Sequence, residues 1–331
     1  MGTLRGVAFI FPGQGAQYVG MGQDIAEKYG SAKKIYQKAS AALGLDMEKM
    51  IFGSDEQTLM ITENTQPALL TTCIASMQPL LDAGIMPEVS AGLSVGEYSA
   101  HVTAGTLCFN DAVLAVKKRG KFMQEEVPVG QGGMAAIMGL SAESVENCCQ
   151  EIIAQYPGSV VEPVNFNCPG QIVIAGNIKE VEAAAELCRK NGAKRAMMLS
   201  VSAPFHSSLM RGAGEKLDKS LEEISFYEMK IPVVSNVTAE YIENAAEVRE
   251  SLVRQVSTSV KWEQCVHTMI KKGIDTFIEI GPGKTLAGFI KKISKDVTVY
   301  SVNDVESLEA VLNTLHSQPL PGSFMELSGH L

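Results

Sequence analysis

The chain has 331 residues, 46% of them hydrophobic, and a formal net charge of −9. That is enough apolar material for one large core, or for one core with a smaller companion, in a globular protein. The acidic balance disfavours nucleic acid as the main partner, because binding phosphates takes a concentrated basic surface.

Taken in chain order, the first segment "MGTLRGVAFIFPGQG" breaks at Pro12 and Gly13 after a few apolar residues. It therefore reads as neither a signal peptide nor an anchor, and Gly6 stands where myristoylation needs Ser or Thr. No apolar run reaches the roughly 18 residues of a membrane span, so no membrane partner is expected. Strand-length apolar runs occur at "GVAFIF" (6–11), "EVSAG" (88–92), "IPVVSNV" (231–237), "TFIEIG" (276–281) and "VTVYSV" (297–302). Longer helix-like segments separate them, which predicts an α/β fold with a mainly parallel sheet flanked by helices, a hydrolase-like core.

Between 128 and 198 the rhythm changes. "MAAIMGL" reads as a strand, "AESVENCCQEIIAQY" as a helix, "VVEPVNFNCPGQIVIAG" as a hairpin around Pro169-Gly170, "NIKEVEAAAELCRKNG" as a helix and "AKRAMMLSV" as a last strand. The order βαββαβ is ferredoxin-like. The expected organisation is a large catalytic domain from 1–127 and 199–316, a small ferredoxin-like domain inserted at 128–198 with a cleft between the two, and a mobile tail at 317–331.

The seven cysteines contain no C-x-x-C and have few histidines nearby, which predicts reduced cytoplasmic thiols and no metal site. Gly92-Leu93-Ser94-Val95-Gly96 reads G-x-S-x-G between a strand and a helix that carries Glu97 in its first turn. In that setting the glycines permit the sharp turn that lifts a serine hydroxyl into a cleft, at the positive end of the helix. A nucleophilic serine needs a base, and there are five histidines. His330 falls in the tail and His316 at the end of a surface helix. His267 looks like an ordinary helix residue, and His101 lies two turns along the helix from Ser94. His206, in "SVSAPFHSSLM", remains, on a loop that can hold an imidazole over a sheet edge.

The glycine-rich loop after the first strand, "FPGQGAQ", can aim backbone N–H groups near Gln14 at an oxyanion. It is no dinucleotide fingerprint, since Tyr18 stands where G-x-G-x-x-G needs glycine, and Ile278 spoils the phosphate-loop pattern ahead of "GPGKT". In "DAVLAVKKRGKFMQEEV", with Asn110 or Asp111 as N-cap, Val116, Arg119 and Met123 share one helix face. An arginine there is costly to bury without an anion, and its planar fork suits a carboxylate. A rim arginine paired with Glu125, Glu126 or another acid is the alternative.

The ordered motifs "FPGQGAQ", "ENTQPALL", "GLSVGEYSAHVTAG", "RGKFMQE", "GGMAAIMGL", "NFNCPGQIVIAG", "APFHSSLM", "RQVSTSVKWEQ" and "EIGPGKTLAG" resemble the malonyl-CoA:acyl carrier protein transacylases of fatty acid synthesis. They also resemble the acyltransferase domains of polyketide synthases. The resemblance runs from about residue 5 to 300. It implies that Ser94 is the acylated nucleophile and His206 the base, with an oxygen of Gln255 orienting the imidazole in place of a triad acid. It further implies that the N–H groups of Gln14 and Val95 form the oxyanion hole and that Arg119 clamps the malonyl carboxylate. Asn165, Asn167 and Gln66 fall in motifs near the family's active site, and Met123 and Phe205 are assigned to the substrate pocket. By the same analogy Phe205 favours malonyl over methylmalonyl, since a bulky ring crowds an α-methyl group. The family's usual G-H-S-L-G is departed from at Leu93 and Val95.

Exchange of one thioester for another calls for no cofactor, with malonyl-CoA as substrate and acyl carrier protein as partner of a monomeric enzyme. Basic groups at 189–195 and at Lys284, Lys291 and Lys292 are candidates for receiving an acidic carrier. Three alternatives compete with this reading. One is an α/β-hydrolase esterase or thioesterase, with an acid such as Glu162 between Ser94 and His206 in the chain. The others are a trans-acting acyltransferase of a polyketide pathway and a non-catalytic docking module.

Overall fold

A computed structural model describes residues 6–201 and 203–316, so the expected tail at 317–331 lies outside the described residues. Among the described residues, ten strands form two sheets. Six belong to the larger: β1 (Val7–Phe11), β2 (Val89–Gly92), β7 (Val233–Val234), β8 (Tyr241–Ile242), β9 (Thr276–Ile280) and β10 (Thr298–Val302). The smaller contains β3 (Gly132–Met138), β4 (Val161–Cys168), β5 (Gln171–Asn177) and β6 (Arg195–Met198).

The large sheet runs β10-β9-β1-β2-β7-β8, and every pairing is parallel except β7 with β8. β1 lies between β9 and β2 and is buried along its whole length. Its residues alternate between two cores, because side chains on a strand alternate faces. Val7, Phe9 and Phe11 pack with the helix Thr62–Asp82, while Ala8 and Ile10 pack with the helices Trp262–Lys271 and Thr285–Ile293.

"IPVVSNV" forms only the two-residue strand β7, and the short antiparallel β8 was not foreseen. The chain turns after Val234, with Ser235 N–H donating to Glu240 O, and this turn delivers Asn236 to the site described below.

The second sheet has the order β4-β5-β3-β6, wholly antiparallel, and the helices Ala142–Gln155 and Ile178–Lys190 complete the βαββαβ sequence. Ala135, Ile137, Ile172 and Ile174 face these helices, whereas Met134, Ala136, Val173 and Ala175 face the main core. The edge strand β4 is tied to the rest by Phe166 N–H to Val260 O (2.9 Å) and Val260 N–H to Val164 O (2.8 Å). No helix among the described residues is long and apolar enough to cross a membrane. All seven cysteines are free thiols, and only Cys108 is exposed.

Candidate active site

Because β1, β2 and β9 run parallel in adjacent positions, the loops after all three leave the same edge of the sheet. In open α/β sheets this carboxyl edge is where ligands bind. Here the second sheet faces it, and a cavity of about 720 Å³ lies between them. The loop after β1 supplies Gln14 to its lining, the turn after β2 supplies Ser94, and Asn165 and Asn167 come from β4.

Ser94 has φ 54°, in the left-handed region that non-glycine residues avoid. The flanking glycines are required by close approach. A Cβ on Gly92 would lie 2.0 Å from the Gly96 carbonyl carbon, and one on Gly96 would lie 2.3 Å from Phe11 O. Gly96→Ala should therefore destabilise the protein by about 2–4 kcal/mol, since the obstructing atoms are backbone and cannot swing aside. Urea unfolding checks this, and an unchanged midpoint would refute the steric argument.

The Ser94 hydroxyl is 2.8 Å from His206 Nε2, and His206 Nδ1 is 2.8 Å from Gln255 O. A carbonyl only accepts, so Nδ1 carries the hydrogen, leaving Nε2 free to accept from Ser94. Burial pushes the imidazole pKa down to about 3, with the charge of Arg119 adding to the effect and the Gln255 carbonyl opposing it. The ring is therefore neutral near pH 7, with Nε2 free to accept.

The third member of the set is thus the main-chain oxygen of Gln255. The Gln255 side chain acts separately: Oε1 accepts from Arg119 Nη2 (2.9 Å), while Nε2 donates to Ser94 O (3.1 Å) and Glu97 Oε2 (2.7 Å). Glu162, the acid a hydrolase reading would use, accepts instead from the N–H and hydroxyl of Ser208.

Arg119 is on the helix Phe109–Glu125 and is 1% exposed. The cap of that helix is Cys108, whose sulfur accepts from Asp111 N–H, rather than Asn110 or Asp111. The rim alternative for Arg119 does not hold, since Glu125 meets Lys121 and Glu126 meets Lys216. Its guanidinium forms no ion pair among the described residues. It donates to Gln66 Oε1 (2.8 Å), Gln255 Oε1 (2.9 Å) and Ser94 Oγ (3.2 Å), and lies 5.7 Å from the centre of the Tyr98 ring.

Gln66, Met123, Phe205 and both asparagines also line the cavity, and Asn167 Oδ1 is buried without a partner. Among the described residues, neither Gln14 nor Val95 gives its N–H to a backbone carbonyl. His101 is buried behind the nucleophile and His267 is paired with Glu263 on the surface, so neither approaches Ser94. Of the two histidines near the end of the chain, His316 ends its helix and His330 lies outside the described residues.

The sequence reading missed Asn236. Its Oδ1 accepts from Ser94 N–H (2.7 Å) and its Nδ2 donates to Gly92 O (2.8 Å), clasping the turn from both sides. Nothing local in Ser235-Asn236-Val237 signals this, because the contact spans more than 140 residues.

A serine raised on such a turn and hydrogen-bonded to a neutral imidazole is built to form acyl-enzyme esters. The chain belongs to the acyl transferase domain family, whose model matches residues 8–318. The malonyl CoA-acyl carrier protein transacylase of Bacillus subtilis (strain 168) is 45% identical over 312 residues, covering 94% of this chain and 98% of that protein. The protein of the same name from Escherichia coli (strain K12) is 44% identical, with 92% of this chain and 98% of that one covered. Among solved structures, the Clostridium perfringens malonyl CoA-acyl carrier protein transacylase superposes with a TM-score of 0.90 at 44% identity, covering 94% and 97% of the two chains. A malonyl-transacylase in complex with its type II PKS acyl-carrier protein also gives 0.90, at 41% identity and 93% and 99% coverage.

Proposed function

We propose that the protein transfers a malonyl group from malonyl-CoA to the phosphopantetheine thiol of an acyl carrier protein, through an ester on Ser94. The observation that carries this reading is Arg119, a buried guanidinium with no carboxylate among the described residues in ion-pair reach, donating to the nucleophile's own oxygen. A carboxylate two bonds beyond a reacting carbonyl carbon suits that position, and bidentate pairing with it would offset the cost of burying the cation.

In the first half-reaction the Ser94 proton passes to His206 Nε2 as Oγ bonds to the thioester carbon. The N–H groups of Gln14 and Val95 hold the resulting oxyanion. Collapse breaks the carbon–sulfur bond, and coenzyme A leaves with the proton returned by His206. In the second half-reaction the carrier thiol gives its proton to His206, attacks the malonyl ester and regenerates the Ser94 hydroxyl. One thioester replaces another, so the chemistry uses no cofactor, and we take the enzyme to act as a cytoplasmic monomer.

Asn165, Asn167 and Phe205 line the cavity, and in this reading the asparagines hydrogen-bond the pantetheine arm while Phe205 narrows the malonyl end. The helix Thr285–Ile293 contributes Thr285, Leu286 and Phe289 to the cavity and carries the exposed Lys291 and Lys292, with Lys284 just ahead of it. An acidic carrier docking there would bring its thiol to the opening.

The test is incubation with malonyl-CoA and carriers of the fatty acid and polyketide types. Carrier-dependent release of coenzyme A with malonyl on the carrier thiol is expected, and the preferred carrier distinguishes the two supply routes. Release of free malonate at a rate that ignores the carrier would favour a thioesterase instead.

A further inference from the structure

The buried network behind the nucleophile contains a carboxylate that the catalytic steps above do not use. Glu97 is fully buried in the first turn of the helix Gly96–Ala104. Its Oε2 accepts from Asn236 N–H (3.0 Å) and from Gln255 Nε2 (2.7 Å). Those two residues hold the Ser94 turn and the His206 ring. Gln255 lies between a donor-only group, Arg119, and an accepting oxygen, Glu97 Oε2. Only one orientation of its side-chain amide satisfies both, with the oxygen toward Arg119 and the nitrogen toward Glu97.

We propose that Glu97, when ionised, is a positioning residue of the transfer reaction: acting through the Gln255 amide, it is the counter-charge that keeps Arg119 and the Ser94–His206 pair in reactive alignment. This rests on the malonyl-transfer reading above. It places an acid behind the pair at one remove, with an amide between, so that Arg119 has a balancing charge yet keeps no carboxylate on its own nitrogens.

The second carboxylate oxygen shows where a proton would go. Glu97 Oε1 and His101 Nε2 are both buried without a hydrogen-bond partner, and they lie 3.9 Å apart. The Thr106 hydroxyl donates to His101 O, so it accepts from His101 Nδ1, which leaves Nε2 with only a lone pair. Two acceptors therefore face each other, and a proton placed on Oε1 would relieve the repulsion between their lone pairs.

Burial pushes the Glu97 carboxyl up to about 7, against the bonds from Asn236 and Gln255 and the charge of Arg119. The other titratable groups around it are His101 and Tyr98 on its own helix, Arg119 on the helix Phe109–Glu125 and Cys265 on the helix Trp262–Lys271. Burial holds His101 down to about 3 and raises both Tyr98 and Cys265, so all three stay neutral near pH 7 while Arg119 stays charged. As pH falls, Glu97 is protonated long before His206, and Arg119 loses its counter-charge.

The experiment is the pH profile of kcat/KM for malonyl transfer in the wild type and in Glu97→Gln, which keeps the shape and removes the charge. The wild type should lose activity on the acid side with a midpoint near pH 7. The variant should be about 10- to 100-fold slower at alkaline pH and lack that limb. Wild-type rates with an unchanged acid limb in Glu97→Gln would overturn the proposal, as a purely structural glutamate would not remove the limb.

If the variant does not fold, infrared spectra of the wild type decide. A buried protonated-carboxyl band growing with the same midpoint as the activity loss supports the proposal, and no such band, or no acid limb, overturns it. Formation of a malonyl ester on wild-type Ser94 at alkaline pH, measured alongside, separates failure of this inference from failure of the malonyl-transfer reading.

Discussion

Arg119→Ala should lower kcat/KM for the malonyl thioester by about 100- to 1,000-fold while leaving acetyl transfer within about threefold of its starting value, or raising it. The guanidinium donates to Gln66, Gln255 and the nucleophile from a buried position. In water the substrate carboxylate would surrender little by leaving this partner. At the inner end of the cavity the carboxylate would be partly desolvated against Leu93, Met123 and Phe205, with no cation to replace the lost hydration. An acetyl group brings no charge to be paired, so its transfer loses the guanidinium's bonds to Ser94, Gln255 and Gln66 but no ion pair with the substrate. Steady-state kinetics with the two thioesters check the split, and equal losses for both would remove Arg119 from the carboxylate role.

Ser94→Ala and His206→Ala should each reduce transfer by more than about 1,000-fold, and the double variant should be no worse than the poorer single one. The two side chains meet at 2.8 Å and act as one unit, the imidazole being useful only while there is a hydroxyl to deprotonate. His206 itself sits at φ 64°, and its Nδ1 is fixed by a backbone carbonyl that no side-chain substitution can remove. Folding should survive Ser94→Ala, because alanine needs no more room than serine at the same φ and the cavity admits water to the freed partners. Circular dichroism with carrier-loading rates checks both statements. Additive losses would show that serine and histidine serve separate steps.

How much of this was legible in the sequence depends on how far apart the contacting residues are in the chain. The Ser94 turn could be read from five consecutive residues, because its requirement is local: glycines where backbone crowds backbone. The βαββαβ insert was legible for the same reason, its periodicities changing within each segment. His206 emerged by elimination among few histidines, and Arg119 from its place on an apolar helix face.

Other parts of the site depend on distant packing. Cys108 caps its helix as a sulfur acceptor, a weak role that capping preferences do not favour. Asn236 joins the site only because β7 stops after two residues, and a strand's length is set by its neighbours rather than by its own propensity. Glu97 reads as a surface-type acid in a helix's first turn, and its burial follows from the close seating of Gly92 against Gly96 and of Gly96 against the end of β1. Gln255 was reached by resemblance, and the structure divides it into two functions, a carbonyl for the histidine and an amide between Arg119 and Glu97.

The most direct measurement is peptide mapping by mass spectrometry after brief mixing of the wild-type protein with malonyl-CoA in the absence of carrier. The expected result is the mass of one malonyl group on the peptide containing Ser94, lost on addition of carrier protein and never formed in Ser94→Ala. Steady release of malonate with no adduct on that peptide, or an adduct that persists when carrier is added, would contradict the account.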